Sequence, residues 1–523
     1  MHPTAPAFSN KVELKLNEGG QAIAGKLQGF DGKNYVVDTD FLGVVRIDAN
    51  KVSCLGSACP KSPAVKSLRF DNGILAIRGS NTTGTRLLPA LIRDYAAKTG
   101  TELKSKDGGN GDVVYDLLRN DGTAELTIDM QRRGSGTAFP ALASGEADIG
   151  MADRSISDDE IGLLANAGFP QMNRPTHEHV IGLDTIVAIT SPKNDVKSLS
   201  LTDLSGIFSG EIQDWSELGF PPGRINVYSA PEKSGDFKIF QSLVLKPFGR
   251  KLRPDAEIHA DHADTEKAVT EDPGGIGFAS FAQIKDSRPL AIKDTCGLRH
   301  NPSMFGVKSG EYPLARNLYF YTTQLAKKNT AAFVRFATSG DAAAALKESG
   351  FTDHAIATEH FDSFRDQIFV SLSAPREDFD LDLMRLLMKT LDQGKRLSAT
   401  MRFESRSTDL DSESVQQLPD IVDYLMGLDL AKEKIILAGY SDSAGPFDAN
   451  LELAFERAET VQKALFVISN GELKPETMEV QSFGELFPVG CNDTEPGREK
   501  NRRVEIWIVP RNDASPVILS KQE

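Results

Sequence analysis

Four times between residues 79 and 237, a short loop of small residues interrupts the apolar pattern: GSNTTGT (79–85), RGSGTAF (133–139), GMADRS (150–155) and EKSGDF (232–237). Three of these put Ser or Thr beside Gly, and three lead into helical patterns. The first turn of a helix has free N–H groups and the positive end of a dipole. Gly lets backbone approach a ligand closely, and Ser or Thr adds a hydroxyl donor. Taken singly, such a loop reads more readily as an ordinary helix cap, because capping is so common. Several such loops at the carboxyl ends of alternating strands converge on one cleft, where dipoles alone can hold a small oxyanion.

The chain around these loops is too long for one core. At about 150 residues per domain, 523 residues imply three or four units. The net charge of −15 argues against a nucleic-acid partner, whose phosphates need basic surface, but does not forbid a small anion held by local donors. No apolar run reaches the roughly 20 residues of a membrane-spanning helix. The opening MHPTAPAFSN shows no basic segment followed by an apolar one, so no signal peptide is visible. That fits a cytosolic chain or a trimmed secreted one. Cys54 and Cys59, in CLGSAC, have a spacing that can close a short disulfide loop and lean towards the secreted reading. Cys296 and Cys491 lie far apart, and sequence does not say whether they pair.

Periodicity divides the chain. Residues 11–60 alternate apolar and polar residues in VELKL, IAGKLQGF, NYVVD and VVRIDANKV, with turns at NEGG and DGKN, which predicts a small antiparallel β domain. PKSPAVKS reads as a linker. From 68 to 372, strands such as LAIRGS, ELTIDM and ADIGMA alternate with helices such as RLLPALIRDYAAKTG and the capped SDDEIGLLANAG, predicting a largely parallel sheet with helices on both faces. LDTIVAITSP crosses to a second lobe at about 186–310, and YPLARNLYFYT returns. Residues 395–511 read β-α-β-α-β-β, an α+β sandwich with helices on one face. The acidic stretch at 374–382 falls near the junction.

With these pieces in order, residues 73–370 resemble the phosphate-type (PstS-like) substrate-binding proteins of ABC transporters. The resemblance is carried by GSNTTGTRLLPAL, GSGTAFPALASGEADIGMADRSISDDE, DLSGIFSGEIQDWSEL, GGIGFAS and YPLARNLYFYT. It implies a two-lobed periplasmic-binding-protein fold of type II that closes over its ligand. It assigns anion contacts to Thr82 and Thr83 with Ser80 beside them, and to Ser135 with Gly136 and Thr137. Asp153 becomes the acceptor for the proton of a protonated oxyanion, since unprotonated sulfate would face an unpaired carboxylate. The fourth loop departs from the family. Ser234 and Gly235 remain, but the expected Arg position is Ala230 and the Thr position is Asp236. The strong cation is missing and a carboxylate is added, which disfavours a dianion. Arg154 could compensate.

Residues 395–511 resemble the OmpA-like peptidoglycan-binding domain, through ILAGYSDSAGPFDANLELAFERAETVQKAL, FGELFPV and GREKNRRVEIWI. Asp442 and Arg457 match that family's diaminopimelate-binding pair, one carboxylate for the ammonium and one guanidinium for the carboxylate of the same zwitterion. Asn450 starts a helix that can add donors, and Asn501 and Arg503 match a strand that is in part structural. Ser441 stands where the family commonly has Thr. Peptidoglycan as partner implies the periplasm, with non-covalent attachment to the wall.

The residues argue for no enzyme, cofactor or metal. HEH at 177–179 lacks the HExxH spacing and reads as a solvated turn, and GSG at 134–136 is not a GxSxG elbow. The expected molecule is thus a multidomain α/β protein. Its small N-terminal β domain precedes a two-lobed solute-binding domain for phosphate or a related oxyanion, working with an ABC permease or as a sensor, and an OmpA-like α+β sandwich. The alternative is a wall-tethered scaffold or sensor whose binding domain has a changed ligand or none.

Overall fold

The computed structural model describes residues 11–16, 23–30, 34–39, 43–49, 51–56, 58–59, 73–109, 111–169, 171–232, 234–260, 262–281, 284–323, 327–373, 380–403 and 407–511. The opening segment, the turns at 17–20 and 31–33, the linker at 60–67 and most of the acidic stretch lie outside them. The chain forms two compact units, one from residues 68–355 and the other from the segments before and after it.

In the first unit, the strand Ile74–Gly79 lies parallel to Ala124–Arg132 on one side and to Ile149–Ala152 on the other. The helix Leu88–Thr99 follows from its sequence. Pro89 stands in the first turn, where no N–H is needed, Leu88, Leu91, Ile92 and Ala96 are buried, and left-handed Gly100 ends it. Asp158–Asn166 starts with a reciprocal cap between Ser157 and Glu160. The sheet is more mixed than the alternation predicts. A hairpin of Glu102–Gly109 and Asp112–Leu118 adds antiparallel strands at one edge. The 13-residue strand Glu178–Thr190 pairs antiparallel with the return strand Ala315–Tyr321 along its first part and with Gly275–Ser280 along its last. In the second lobe Asn226–Ser229 extends the sheet in parallel with Gly275–Ser280. Two sets of parallel strands are thus tied by two antiparallel crossovers, and each lobe has its own core, around Leu91, Ile128 and Phe333 in one and Phe208, Phe240 and Phe278 in the other.

The N-terminal strands form a five-stranded antiparallel sheet, in the order Gly43–Asp48, Asn34–Thr39, Ile23–Phe30, Lys11–Leu16, Val52–Leu55. The Cys54–Cys59 disulfide forms, and no described cysteine is a free thiol. The C-terminal sheet runs Thr358–His360, Lys395–Arg402, Arg503–Pro510, Glu433–Tyr440, Met478–Ser482. Thr358–His360 pairs with Lys395–Arg402, so a stretch expected with the central unit belongs here. One face packs on the helices Ser412–Met426 and Phe447–Ile468 through Leu418, Ile421, Ala458, Val461 and Leu465. The other face is covered too, contrary to the one-sided expectation. Trp507 meets Phe361 and Phe364 there, because alternate strand residues are large on both sides. No described helix is long and apolar enough to cross a membrane.

Candidate functional site

The first loop is shaped by close backbone approach. A side chain on Gly79 (φ +135°) would come within 2.0 Å of the Met151 carbonyl, so glycine is required. The next amide, Ser80 N–H, donates to that carbonyl at 2.8 Å, and Arg133 N–H and Gly134 N–H donate to the Gly79 carbonyl at 2.9 and 2.8 Å. Loops one, two and three are thereby stitched together. Ser80 Oγ accepts from Thr83 N–H at 3.2 Å, so Ser80 is indeed a cap. The chain then enters a π-helical turn, Thr83–Leu87, a geometry that recurs at functional sites. Thr83 is fully buried and its hydroxyl has no partner. Thr82 is buried as well.

Ser135 and Asp153 come together: their side chains are hydrogen-bonded, and Asp153 N–H donates to Ser135 Oγ at 3.1 Å. Thr137 turns inward to its own loop, donating to the Gly134 carbonyl at 2.8 Å, and Gly136 stands open with no heavy atom near its missing side chain. Asp153 also pairs with Arg316 at 3.1 Å, and the second arm of Arg316 reaches Asp184 at 3.2 Å. Asp184 is buried in the crossover strand. Burial pushes its carboxyl up from the usual range, while the charges of Arg316 and Arg86 act downward.

In the fourth loop Ser234 Oγ accepts from Phe237 N–H at 3.1 Å, an ordinary cap. Gly235 lies against the first loop, where a side chain would meet Thr82 Oγ1 at 3.3 Å. Asp236 pairs across the lobes with Arg86 at 2.8 Å. Arg86 also donates to the Ser349 carbonyl at 3.3 Å and stacks 4.5 Å from the centre of Phe351. Arg154, the candidate compensating cation, is turned to Glu160, with both arms at 2.8 Å. Arg86 and Arg316 instead pair with carboxylates of these loops. Sequence reasoning passed over both, and Asp184 with them. Their signal was faint: a helix arginine in the first case, and lone charges in buried strands in the others.

The HEH stretch is no solvated turn. His179 is buried in the crossover strand, with Nε2 2.9 Å from Thr322 Oγ1, and His177 Nδ1 lies 3.0 Å from the Thr322 carbonyl. No cluster of three metal-ligating side chains exists among the described residues.

In the C-terminal domain, Arg457 projects from the helix Phe447–Ile468 and is 1% exposed. Its Nε donates to the Ser407 carbonyl at 2.9 Å, and its guanidinium lies 5.2 Å from the centre of Phe403. Burial, and then the charge of Arg502, hold its pKa down to about 10 against the attraction of Asp442. Asp442 accepts from Arg502 at 2.9 Å and from Ala444 N–H at 2.9 Å. Asn450 Nδ2 donates to the Asp442 carbonyl at 3.1 Å and to Glu485 at 3.0 Å. Arg502 was not foreseen from sequence, standing as it does among three polar neighbours in NRRVE. Asn501 pins the loop before it, accepting from Val489 N–H at 2.9 Å and Gly490 N–H at 3.1 Å. Arg503 is wholly buried between Glu505 at 2.7 Å and the Phe487 carbonyl at 2.7 Å, and lies 4.1 Å from the Tyr440 ring centre.

A family model described as a PBP superfamily domain matches residues 71–341, just over half of the chain, and one described as the OmpA family matches residues 402–502. The chain belongs to the PBP superfamily. More particularly, it combines a PstS-like binding-protein domain with a C-terminal OmpA domain. Its relatives include the phosphate-binding protein PstS of Staphylococcus epidermidis, 28% identical over 274 residues, covering 48% of this chain and 82% of the relative. Protein SphX of Synechococcus elongatus is 27% identical over 237 residues, covering 43% and 68%. Among solved structures, an ABC-type phosphate transport receptor from Vibrio cholerae aligns with a TM-score of 0.42 at 20% identity, over 53% of this chain and 99% of that one. The first of these two domains is of a binding-protein family, not an enzymatic one.

Proposed function

We propose that this protein captures a small oxyanion, phosphate above all, between the lobes of its binding domain, for ABC-type uptake or for sensing, while the OmpA domain holds it to peptidoglycan in the periplasm. The observation that supports the first half is a buried, unpartnered Thr83 hydroxyl in a segment whose loop is stitched by backbone hydrogen bonds to the loops that carry the bonded Ser135 and Asp153. A protonated oxyanion gives Asp153 a hydrogen to accept, whereas sulfate has none to give. Arg316 neutralises Asp153 from behind and fixes its orientation. Thr82, Gly136 and Gly235 line the same approach, while Ser80, Thr137 and Ser234 shape the loops.

For the second half, Asp442 and Arg457 are the carboxylate and guanidinium for the two ends of diaminopimelate, and Arg502 orients Asp442. Burial and the charge of Arg502 disfavour the Arg457 cation as it stands, and an incoming carboxylate would offset both. Asn450, Asn501 and Arg503 build the pocket rather than touch the ligand.

Melting the protein with saturating phosphate or sulfate tests the cleft. Phosphate at 100 times its Kd adds about 2.7 kcal/mol of stability and sulfate adds none. Equal shifts, or none, would sink the phosphate assignment. The Arg86–Asp236 pair favours a second reading, a wall-tethered scaffold whose lobes are held together by their own side chains. It predicts no shift with either anion.

A further inference from the structure

The fourth loop lacks the arginine expected there and carries Asp236 instead, yet a guanidinium is present beside it. Arg86 reaches over from the first lobe and meets Asp236 at 2.8 Å. Three observations set this pair apart from a surface ion pair. Asp236 is 8% exposed, and Arg86 is braced by the Ser349 carbonyl and the Phe351 ring. Arg86 rides on the π-helical turn Thr83–Leu87, the same turn that carries the buried, unpartnered Thr83 hydroxyl. Its partner also follows directly on Gly235, where a side chain would meet Thr82 Oγ1 at 3.3 Å. Arg86 pairs with Asp236, and Arg316 pairs with Asp153 and Asp184. An entering oxyanion would compete with these carboxylates for the same guanidiniums.

We propose that Arg86 supplies, from the opposite lobe, the anion-binding cation that Ala230 no longer provides, and that Asp236 is an internal competitor for it. Binding exchanges the Asp236 carboxylate on Arg86 for an oxygen of the ligand. This rests on the oxyanion reading above. Its chemistry is a charge-assisted hydrogen bond traded for another of the same kind, so the exchange sets affinity well below that of a site with a free guanidinium. The pair then works as a specificity filter: a weak acceptor does not displace Asp236, and a protonated tetrahedral oxyanion does, because Asp153 and Thr83 add to its hold.

Calorimetric titration of inorganic phosphate into the full chain tests this with Arg86→Gln and Asp236→Asn. We expect Arg86→Gln to weaken phosphate about 10- to 100-fold and Asp236→Asn to tighten it about 10-fold. Opposite signs are the signature, since a purely structural pair would lose affinity in both variants. Unchanged phosphate affinity in Arg86→Gln, or unchanged or weaker affinity in Asp236→Asn, overturns the exchange while leaving the oxyanion reading intact. Absence of phosphate binding in both the native chain and Asp236→Asn removes the oxyanion reading and the exchange together. If Arg86→Gln does not fold, the sign of the Asp236→Asn effect decides.

Discussion

The proposed anion cleft of the binding domain and the proposed peptidoglycan pocket of the OmpA domain each draw on arginine and aspartate, but they are put together differently. In the pocket, Asp442, Arg457 and Arg502 project from a helix and strand ends of one sheet-and-helix layer, and the buried Arg457 is fixed by the Ser407 carbonyl and Phe403. In the cleft, Arg86 of the first lobe pairs with Asp236 of the second, and Arg316 on the return strand pairs with Asp153 and Asp184. A site on one rigid layer can wait for its ligand with its charges in place. A site divided between lobes must satisfy its charges internally, and a ligand then has to displace something.

The largest expected effect is on the cleft. Arg316→Gln leaves Asp184 buried with a carboxylate neighbour and no guanidinium at contact distance. It is expected to cost the binding domain about 3–5 kcal/mol in urea unfolding. A loss under 1 kcal/mol would mean that the internal pairs do not hold the cleft together, and the contrast with the pocket would fail. Next comes the pocket. Arg457→Lys keeps the charge but loses the planar fork, and should reduce co-sedimentation with peptidoglycan sacculi about tenfold or more while phosphate binding stays as it was. Undiminished sedimentation would remove Arg457 from the ligand contact. Ser135→Ala is a smaller change. It deletes one hydroxyl beside Asp153 and should weaken phosphate by about 5- to 10-fold in the cleft, with no effect on sacculus binding.

The smallest effect is on stability against pH. Asp411 caps the helix Ser412–Met426, accepting from Ser414 N–H at 2.8 Å, and burial with the nearby Glu413 raises its pKa to about 6. A raised carboxyl favours the folded state when protonated. Its contribution is therefore full below the ordinary value near 3.8 and is lost as pH rises through about 6. Asp411→Asn keeps a capping acceptor and should flatten that part of the melting curve, gaining on the native chain between about pH 4 and pH 7. Parallel curves would show that Asp411 is no special load on this domain.

The same contrast governs what could be read from the residues alone. Asp442 and Arg457 are legible because both lie within one continuous motif, fifteen residues apart, in the loop after the strand Glu433–Tyr440 and on the helix that follows. Ser135 and Asp153 are legible for a similar reason, as loops that follow the two strands flanking Ile74–Gly79. Arg86 and Asp236 are 150 residues apart and belong to different lobes, so no local pattern links them. Asp184 and Arg316 sit on the two crossover strands, whose antiparallel pairing in this unit is set by tertiary packing and not by any alternation of strand and helix. The β-branched and aromatic runs marked those strands correctly but were silent about their direction. The covering of the second sheet face of the OmpA domain was hidden in the same way, because Phe361 and Phe364 precede the domain's recognisable motifs by some seventy residues or more.

The central claim, that the cleft holds a protonated oxyanion, is tested most directly by calorimetric titration of phosphate into the full chain, refolded free of carried-over ligand, with sulfate as the control. Saturable heat with phosphate and none with sulfate is the predicted result. No heat with phosphate, and no competition between phosphate and any ligand the native chain retains, would contradict it and leave the wall-tethered scaffold as the better account.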